Sequence, residues 1–377
     1  MLFKEIIGQE TLKQKLVQTV NENRVSHAWY FFGPEGSGVL PLALGFARYI
    51  LCTGRGVADA CGICASCNKL NKYIHPDLHF SFPANKTRLI DKDTVVSDDF
   101  ITDWRIFLLQ QPYARLTQWY DFIDLENKQG TINTEESKRL AGKLNLKSFE
   151  SEFKVAIIWQ PEKMNDQAAN KLLKLLEEPP PMTVFMLAGE NPELILSTIR
   201  SRCVQVKVPR ITDSAIKNSL IDRYDIGPEK ALETARLASG NYLKAVELVT
   251  ESDTGFHFTK FRELMRACFA KNIPELIRLS EELATLTREK QKAFLEFGLR
   301  TIRESMALHF NAPGIVYISE EEKSFIPNFS PFVTGRNVAA IAEEFSRAIA
   351  DIERNANGRM VFLDLSLELA ALIKRTT

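Results

Sequence analysis

Four short apolar runs in the first part of the chain predict buried β-strands. They are AWYFF (28–32), KVAIIW (154–159), TVFMLA (183–188) and CVQVKV (203–208). Runs that are apolar almost throughout, rather than at every second position, are typical of parallel strands covered on both faces. Helix-like stretches separate the runs, so the pattern predicts an α/β domain with a parallel sheet.

Helical periodicity appears between these runs. The stretch after the first run predicts a helix with one buried stripe, made of Leu40, Leu44, Ala47 and Leu51. A second helix is predicted over NDQAANKLLKLLEE, because Asn165 is a suitable N-cap and the prolines from Pro179 onward stop a helix.

Strand signals end at Pro209, and the remaining pattern is helical. Residues 209–255 predict a small domain of short helices, and 256–377 predict a larger domain of longer amphipathic helices. The segment 312–333 is an exception and predicts a long loop. With 1–208 this makes three domains, since 377 residues are too many for one hydrophobic core.

Charge and hydropathy limit the possible partners. The chain has 48 basic and 48 acidic residues, whereas a protein that grips DNA alone usually carries a basic excess. Contact with nucleic acid is therefore expected only inside an assembly. No apolar run approaches the roughly 20 residues that span a bilayer, and the start does not resemble a signal peptide. We expect a cytoplasmic protein without a membrane partner, whose thiols stay reduced.

A cluster of cysteines predicts a metal site. Its members are Cys52, Cys61, Cys64 and Cys67. Thiolates two residues apart can surround a tetrahedral ion, and Gly62 eases the turn between them. Zinc is preferred, and an iron–sulfur cluster is the alternative. Four protein ligands close the site, so its role is structural. Cys203 and Cys268 are too scattered for a site and are expected to be buried.

The segment GPEGSGVL (33–40) follows the first strand and opens a helix. Glycine-rich turns at this place typically cradle the phosphates of a nucleotide, with a lysine and then a serine or threonine at the end. Those two positions hold Val39 and Leu40, which can neither grip phosphate nor bind magnesium. The loop is therefore degenerate, and Gly33, Gly36 and Gly38 are expected to serve the turn itself.

Several motifs in fixed order resemble one protein family. HAWYFFGPEGSG, the four-cysteine segment, KLLKLLEEPP and TIRSRC are similar to the clamp-loader branch of AAA+ proteins. The resemblance covers about 1–80 and 130–255 well and the C-terminal part more loosely. It implies a P-loop-type AAA+ domain, a helical lid and a helical collar that joins subunits. The corresponding ranges are 1–208, with a zinc module at about 52–67 and an insert at about 81–131, then 209–255 and 256–377.

The resemblance also identifies the positions that an ATPase of this family needs. The acidic pair that serves magnesium and water corresponds to Trp159 and Gln160, and Glu162 lies two residues too far along. The residue that senses the γ-phosphate corresponds to Gly189, and the lid arginine to Leu243. The resemblance therefore implies that this chain binds no ATP productively.

One charged element of the family survives. Arg202 in SRC matches the arginine finger, which projects into a neighbour's ATP site; a planar guanidinium suits the charge that develops there. Arg200 is a weaker candidate, and the simpler interpretation is an arginine paired with a nearby carboxylate. The combination implies a non-hydrolysing stator in the DNA polymerase III clamp loader. Its partners would be the ATPase (gamma/tau) and delta subunits in a hetero-oligomer, with the sliding clamp and primed DNA reached through the assembly.

Other interpretations stay open. The chain could be an active AAA+ ATPase with altered site residues, or a zinc-dependent DNA-binding protein that acts alone. The aromatic-rich insert 81–131 predicts either a helical decoration of the α/β domain or a partner-binding surface. His75 and His79 are expected to be structural, and Asp77 to position the chain that leaves the zinc module.

Overall fold

The computed structural model describes residues 1–88, 90–125, 128–250, 254–310, 322 and 325–373. The chain forms two compact units, Met1–Val246 and Glu247–Thr377. The predicted boundary between 208 and 209 falls inside the first unit, and the three-domain division remains a prediction.

The first unit contains a five-stranded parallel sheet, which confirms the predicted fold class. Its strands are β1 (Ala28–Phe32), β2 (Leu78–Ser81), β3 (Lys154–Trp159), β4 (Thr183–Gly189) and β5 (Val204–Lys207). The order is β2-β3-β4-β1-β5, and every neighbouring pair is parallel. Continuous burial was the wrong expectation for β5, which lies at an edge and is mostly exposed.

Helices cover both faces of this sheet. The helices of residues 1–250 are α1 (Glu10–Asn21), α2 (Val39–Leu51), α3 (Ala65–Leu70), α4 (Ile101–Gln110), α5 (Leu116–Phe122), α6 (Thr134–Leu144), α7 (Asp166–Glu177), α8 (Ser197–Arg200), α9 (Asp213–Tyr224), α10 (Pro228–Ala238) and α11 (Tyr242–Thr250). Alternate strand residues point to opposite layers. Phe31 and Ile157 pack in the layer that contains α2, and Tyr30 and Ile158 in the layer that contains α7.

Two predicted helices can be compared residue by residue. Helix α7 begins at its predicted cap, since the Asn165 side chain accepts a hydrogen bond from the Ala168 N–H at 2.8 Å, and it ends at Glu177 before the prolines. Helix α2 differs from the single buried stripe that was predicted, because every residue from Leu40 to Leu51 is buried. A helix enclosed on all sides shows no polar face for the periodicity to reveal.

The insert folds as helices α4 and α5 against the sheet. Trp104 and Trp119 are fully buried, with ring centroids 5.0 Å apart, and Trp104 lies 5.0 Å from Trp159 at the end of β3. Most of the aromatic side chains of the insert therefore form a core, as expected of a helical decoration of the α/β domain.

The second unit is helical throughout its described residues. Its helices are α12 (Thr254–Ala270), α13 (Ile273–Ala284), α14 (Arg288–His309), α15 (Ile326–Phe329), α16 (Val338–Glu353) and α17 (Gly358–Ile373). Phe261, Phe294 and Phe345 lie in their shared core. Much of the loop predicted over 312–333 falls outside the described residues, and 326–332 forms helical turns instead. Of the helices described, none is long and apolar enough to cross a membrane.

Candidate nucleotide-type cleft and four-cysteine centre

The four predicted cysteine ligands converge. Their sulfur atoms all lie within 4.8 Å of one another, and the Sγ–Sγ distances from Cys52 are 3.6 Å to Cys61, 3.9 Å to Cys64 and 3.5 Å to Cys67. Four sulfurs bound to one zinc ion at about 2.3 Å lie roughly 3.8 Å apart in a tetrahedron. An iron–sulfur cluster places several atoms between its ligands, so it needs a wider cage. The arrangement fits a single tetrahedral ion.

Local backbone structure prepares one of these thiols, that of Cys64, for metal binding. Gly62 has φ +78°, the left-handed turn expected of it, and Cys64 caps the start of α3 by accepting the Cys67 N–H at 3.4 Å. Burial raises the pKa of the Cys64 thiol, but hydrogen bonds from Thr53 and the Cys67 N–H outweigh it and lower that pKa to about 5. Thiolate is the metal-binding form, so this cysteine is already favoured as a ligand.

The glycine-rich turn depends on two of its glycines. Gly36 and Gly38 have φ +71° and +92°, which a residue with a side chain rarely adopts. A Cβ on Gly36 would also collide with the Asn241 side chain. Val39 and Leu40 form the first residues of α2, with Leu40 buried. Gly36 and Gly38 therefore allow the backbone to adopt this turn.

The cleft in front of this turn is small. Its volume is about 30 Å³, which is room for about two water molecules, whereas a small-molecule site takes roughly 300–1,000 Å³. Leu243 and Trp159, both expected near a nucleotide, line the cleft, and Tyr113 and Ala114 of the insert enter it. Sequence reasoning missed Tyr113, since nothing near it in the chain indicates that it reaches a loop 75 positions earlier.

The residues at the ends of β3 and β4 are engaged with each other. Gln160 Nε2 donates to Glu190 Oε1 at 3.1 Å. Glu162 Oε1 accepts the backbone N–H groups of Glu190 and Asn191 at 2.6 and 2.9 Å. The carboxylate of Glu162 thus fixes the turn after β4 and does not line the cleft.

This arrangement makes Gly189 sensitive to substitution. A Cβ there would lie closer than 3.0 Å to both Glu162 carboxylate oxygens. We expect Gly189→Thr, which installs the residue type of an active relative, to lower the free energy of unfolding by about 1–3 kcal/mol through overpacking. Chemical denaturation of the purified chain measures the change.

Two comparisons test that explanation. Gly142→Thr is the matched control, because no atom lies within 4 Å of a Cβ at that helical position, and it should be close to neutral. Gly189→Thr should also cost less in a Glu162→Ala background than in the unmodified chain, because the crowding carboxylate is then absent. An unchanged unfolding midpoint in Gly189→Thr would show that the crowding is absent.

The lining of the cleft is acidic. Among the described residues that line it, none is lysine or arginine, while Glu35 and Glu190 both contribute. Burial raises the pKa of Glu190, and the nearby Glu35 and Glu162 carboxylates raise it further. A triphosphate is strongly anionic, and no lysine or arginine among the described lining residues would compensate its charge, in addition to the lack of space.

A larger groove of about 670 Å³ lies elsewhere on the same unit. It runs between residues 4–12 and residues 209–223, including the start of α9. None of residues 33–40 lines this groove. The groove therefore provides no room for phosphates at the glycine-rich turn.

Arg202 lies in the exposed turn between α8 and β5. Its Nη2 atom pairs with Glu177 Oε1 at 2.6 Å and its Nη1 donates to the Thr198 carbonyl at 2.9 Å. The side chain keeps 37% of its surface exposed. Arg200 is paired separately, with Glu193 at 3.0 Å. The predicted finger thus lies at the surface, far along the chain from the phosphate loop, and has a carboxylate partner.

The HPD segment (75–77) has a structural role, in which its aspartate accepts hydrogen bonds. The Asp77 carboxylate accepts three backbone N–H groups, from Phe149, Glu150 and Ser151, at 2.6, 2.9 and 2.8 Å. It therefore fixes the loop that leads into β3. Burial lowers the pKa of His79 to about 4, so that side chain is neutral. Among the described residues, the only group of three or more potential metal ligands is the cysteine cluster.

Comparisons with known proteins agree with the resemblance found in the sequence. A family model described as "DNA polymerase III, delta subunit" matches residues 8–212. DNA polymerase III subunit delta' of Bacillus subtilis is 30% identical over 366 residues, covering 96% of each chain. Subunit tau of the same organism is 25% identical over 345 residues, covering 85% of this chain and 52% of tau.

Among solved structures, a DNA polymerase III gamma subunit-related protein of Thermotoga maritima matches 97% of this chain and 99% of its own, with 17% identity and a TM-score of 0.37. The assignment rests on the family model and on the full-length match to the Bacillus protein. The chain therefore belongs to the delta-prime family, the AAA+-type subunits of the DNA polymerase III clamp loader.

Proposed function

We propose that this chain is a non-hydrolysing stator of the clamp loader, which supplies Arg202 in trans to the ATP site of a neighbouring subunit. The neighbour is the gamma/tau ATPase, and the delta subunit completes the hetero-oligomer in the cytoplasm. The assembly then uses ATP to load the sliding clamp onto primed DNA during replication.

The small volume of the cleft is the observation that carries this proposal. A volume of about 30 Å³, with acidic residues in its lining, leaves no place for a triphosphate at the turn. The residue positions that should hold phosphate and magnesium are Val39 and Leu40. These features speak against an active ATPase with altered residues.

The exposure of Arg202 supports its proposed role as a finger. Its pair with Glu177 is more than one third exposed on both side chains, and exposed ion pairs contribute at most about 1 kcal/mol. The guanidinium can therefore exchange Glu177 for a γ-phosphate at small cost. In the transition state the guanidinium stabilises the negative charge on the transferred phosphoryl group. Its pair with Glu177 cannot compete with that interaction.

The four-cysteine centre has a structural role in this proposal. Zinc bound by Cys52, Cys61, Cys64 and Cys67 has no open position for substrate, and it would join the end of α2 to the start of α3. With no net charge on the chain, contact with DNA belongs to the assembly and not to this subunit acting alone.

The isolated chain should not bind MgATP, and restoring the two lost residues should not change this. In Val39→Lys/Leu40→Thr the cleft is still narrow and Glu35 and Glu190 still line it. Isothermal titration calorimetry with MgATP should show no binding by either protein. The isolated gamma/tau ATPase, titrated under the same conditions, is the positive control. A Kd below about 10 μM for the unmodified chain, or roughly 7 kcal/mol of binding, would contradict the proposal.

The finger itself is tested by ATP hydrolysis in the reconstituted assembly, with Arg202→Ala compared with the unmodified subunit.

A further inference from the structure

Tyr113, which belongs to the insert, contacts three separate parts of the first unit. Its hydroxyl accepts the backbone N–H of Ile7 at 2.8 Å, and its ring centroid lies 4.9 Å from that of Tyr242. A Cβ on Gly38 would meet the same ring at 3.2 Å. The side chain is 5% exposed. It therefore fills the space enclosed by the N-terminal segment, the phosphate-type turn and the start of α11.

A second connection lies beside it. Arg115 Nε pairs with Glu35 Oε1 at 2.8 Å, and Asn241 Nδ2 donates to the same oxygen at 3.1 Å. The Tyr242 N–H also donates to the Gly36 carbonyl at 3.2 Å. Glu35, in the turn, is thus shared between the insert and the residues that begin α11.

We infer that the insert is a built-in occupant of the cleft, which holds the helices of residues 213–246 against the phosphate-type turn in one fixed arrangement. A dissociable ligand that contacted both parts would hold them together only while bound. Tyr113 and Arg115 belong to the same chain as the cleft, so their effective concentration at the cleft is always high. The first unit consequently keeps one shape whether or not nucleotide is present, as a stator requires.

This role of the insert deepens the proposed stator function and rests on that proposal. A separate measurement tests the role of the insert. Hydrogen–deuterium exchange of the full chain, read by mass spectrometry, reports how often the amides of 213–246 open. In Tyr113→Ala the ring contacts and the acceptor of the Ile7 N–H are lost. We expect exchange in 213–246 to rise at least about tenfold, the factor that corresponds to about 1.4 kcal/mol.

Tyr120→Ala is the matched control. This tyrosine belongs to the same insert and is half-buried, but its hydroxyl donates to the Gly130 carbonyl at 3.2 Å and does not line the cleft. Its substitution should leave exchange in 213–246 unchanged. Unchanged exchange in Tyr113→Ala, or an equal rise in both variants, would overturn the inference. The insert would then have only a packing role.

Arg115→Met covers the case in which Tyr113→Ala does not fold. It keeps the aliphatic bulk and removes the charge that pairs with Glu35, so exchange in 213–246 should rise about threefold, consistent with a partly exposed pair. No rise would overturn the inference. Adding MgATP to the unmodified chain tests the proposed function separately, because nucleotide protection of 33–40 would show binding whatever Tyr113→Ala does.

Discussion

Replacing Arg202 with alanine is expected to reduce ATP hydrolysis at the site it serves by about 10³-fold, the lower end of the range for arginine fingers. The measurement is steady-state hydrolysis by the reconstituted clamp loader with sliding clamp and primed DNA. Since the cleft of this chain has a volume of only about 30 Å³, the proposal assigns the loss to a neighbouring subunit. The isolated chain, assayed alongside, should be inert before and after the substitution.

The stability of the subunit should hardly change in this variant. The Arg202–Glu177 pair is exposed, and such pairs stabilise by about 0–1 kcal/mol. A large loss of activity with an unchanged unfolding midpoint would therefore distinguish a catalytic role in trans from a structural one. Size-exclusion chromatography must show that the assembly still forms.

Arg200→Ala provides the matched control for this experiment. It removes an arginine from the same segment that pairs with a different carboxylate, Glu193, at 3.0 Å. Its assembly should hydrolyse ATP within a few-fold of the unmodified rate. Normal hydrolysis by an intact Arg202→Ala assembly would mean that Arg202 is structural and that the subunit acts only as a scaffold.

The parts of the fold that were predictable from the sequence are those with local signals. The strands β1, β3 and β4 are apolar almost throughout, and α7 carries its cap and its prolines within one short segment. Strand β2 was not predicted, because its four residues, LHFS, include a histidine and a serine and form no apolar run. Its place in the sheet comes from pairing with β3, which no local pattern reveals.

The same distinction applies to the site. The four cysteines lie within 16 positions, so their spacing alone predicts a metal centre. The altered turn was equally readable, since Val39 and Leu40 stand where a motif specifies other residues. Tyr113 and Glu190 enter the cleft from distant segments, and their role depends on tertiary packing. Glu162 does not line the cleft, and its bonds to the turn after β4 could only be seen in the fold.

Replacing Cys64 with serine is expected to abolish zinc binding and to destabilise the region around it. Serine cannot supply a thiolate, and three remaining ligands hold a structural ion far more weakly. The unmodified chain should contain about one zinc per molecule by inductively coupled plasma mass spectrometry, and Cys64→Ser should contain almost none. Structural zinc supplies about 10–16 kcal/mol in isolated finger peptides. Because Cys52 and Cys67 are buried in the core of the first unit, we expect a lower unfolding midpoint and not only a local change.

Cys268→Ser is the control that separates metal loss from a general effect of losing a buried thiol. Cys268 is fully buried in the helical second unit, where its Sγ contacts the Ser366 carbonyl at 3.4 Å. That variant should lose stability modestly while it keeps its zinc. If Cys64→Ser retained a full equivalent of zinc, the four-cysteine cluster would not be the zinc-binding site. If the unmodified chain contained iron and sulfide, the single tetrahedral ion inferred from the short sulfur–sulfur distances would be wrong. Only zinc that depends on Cys64 and not on Cys268 agrees with a closed structural site.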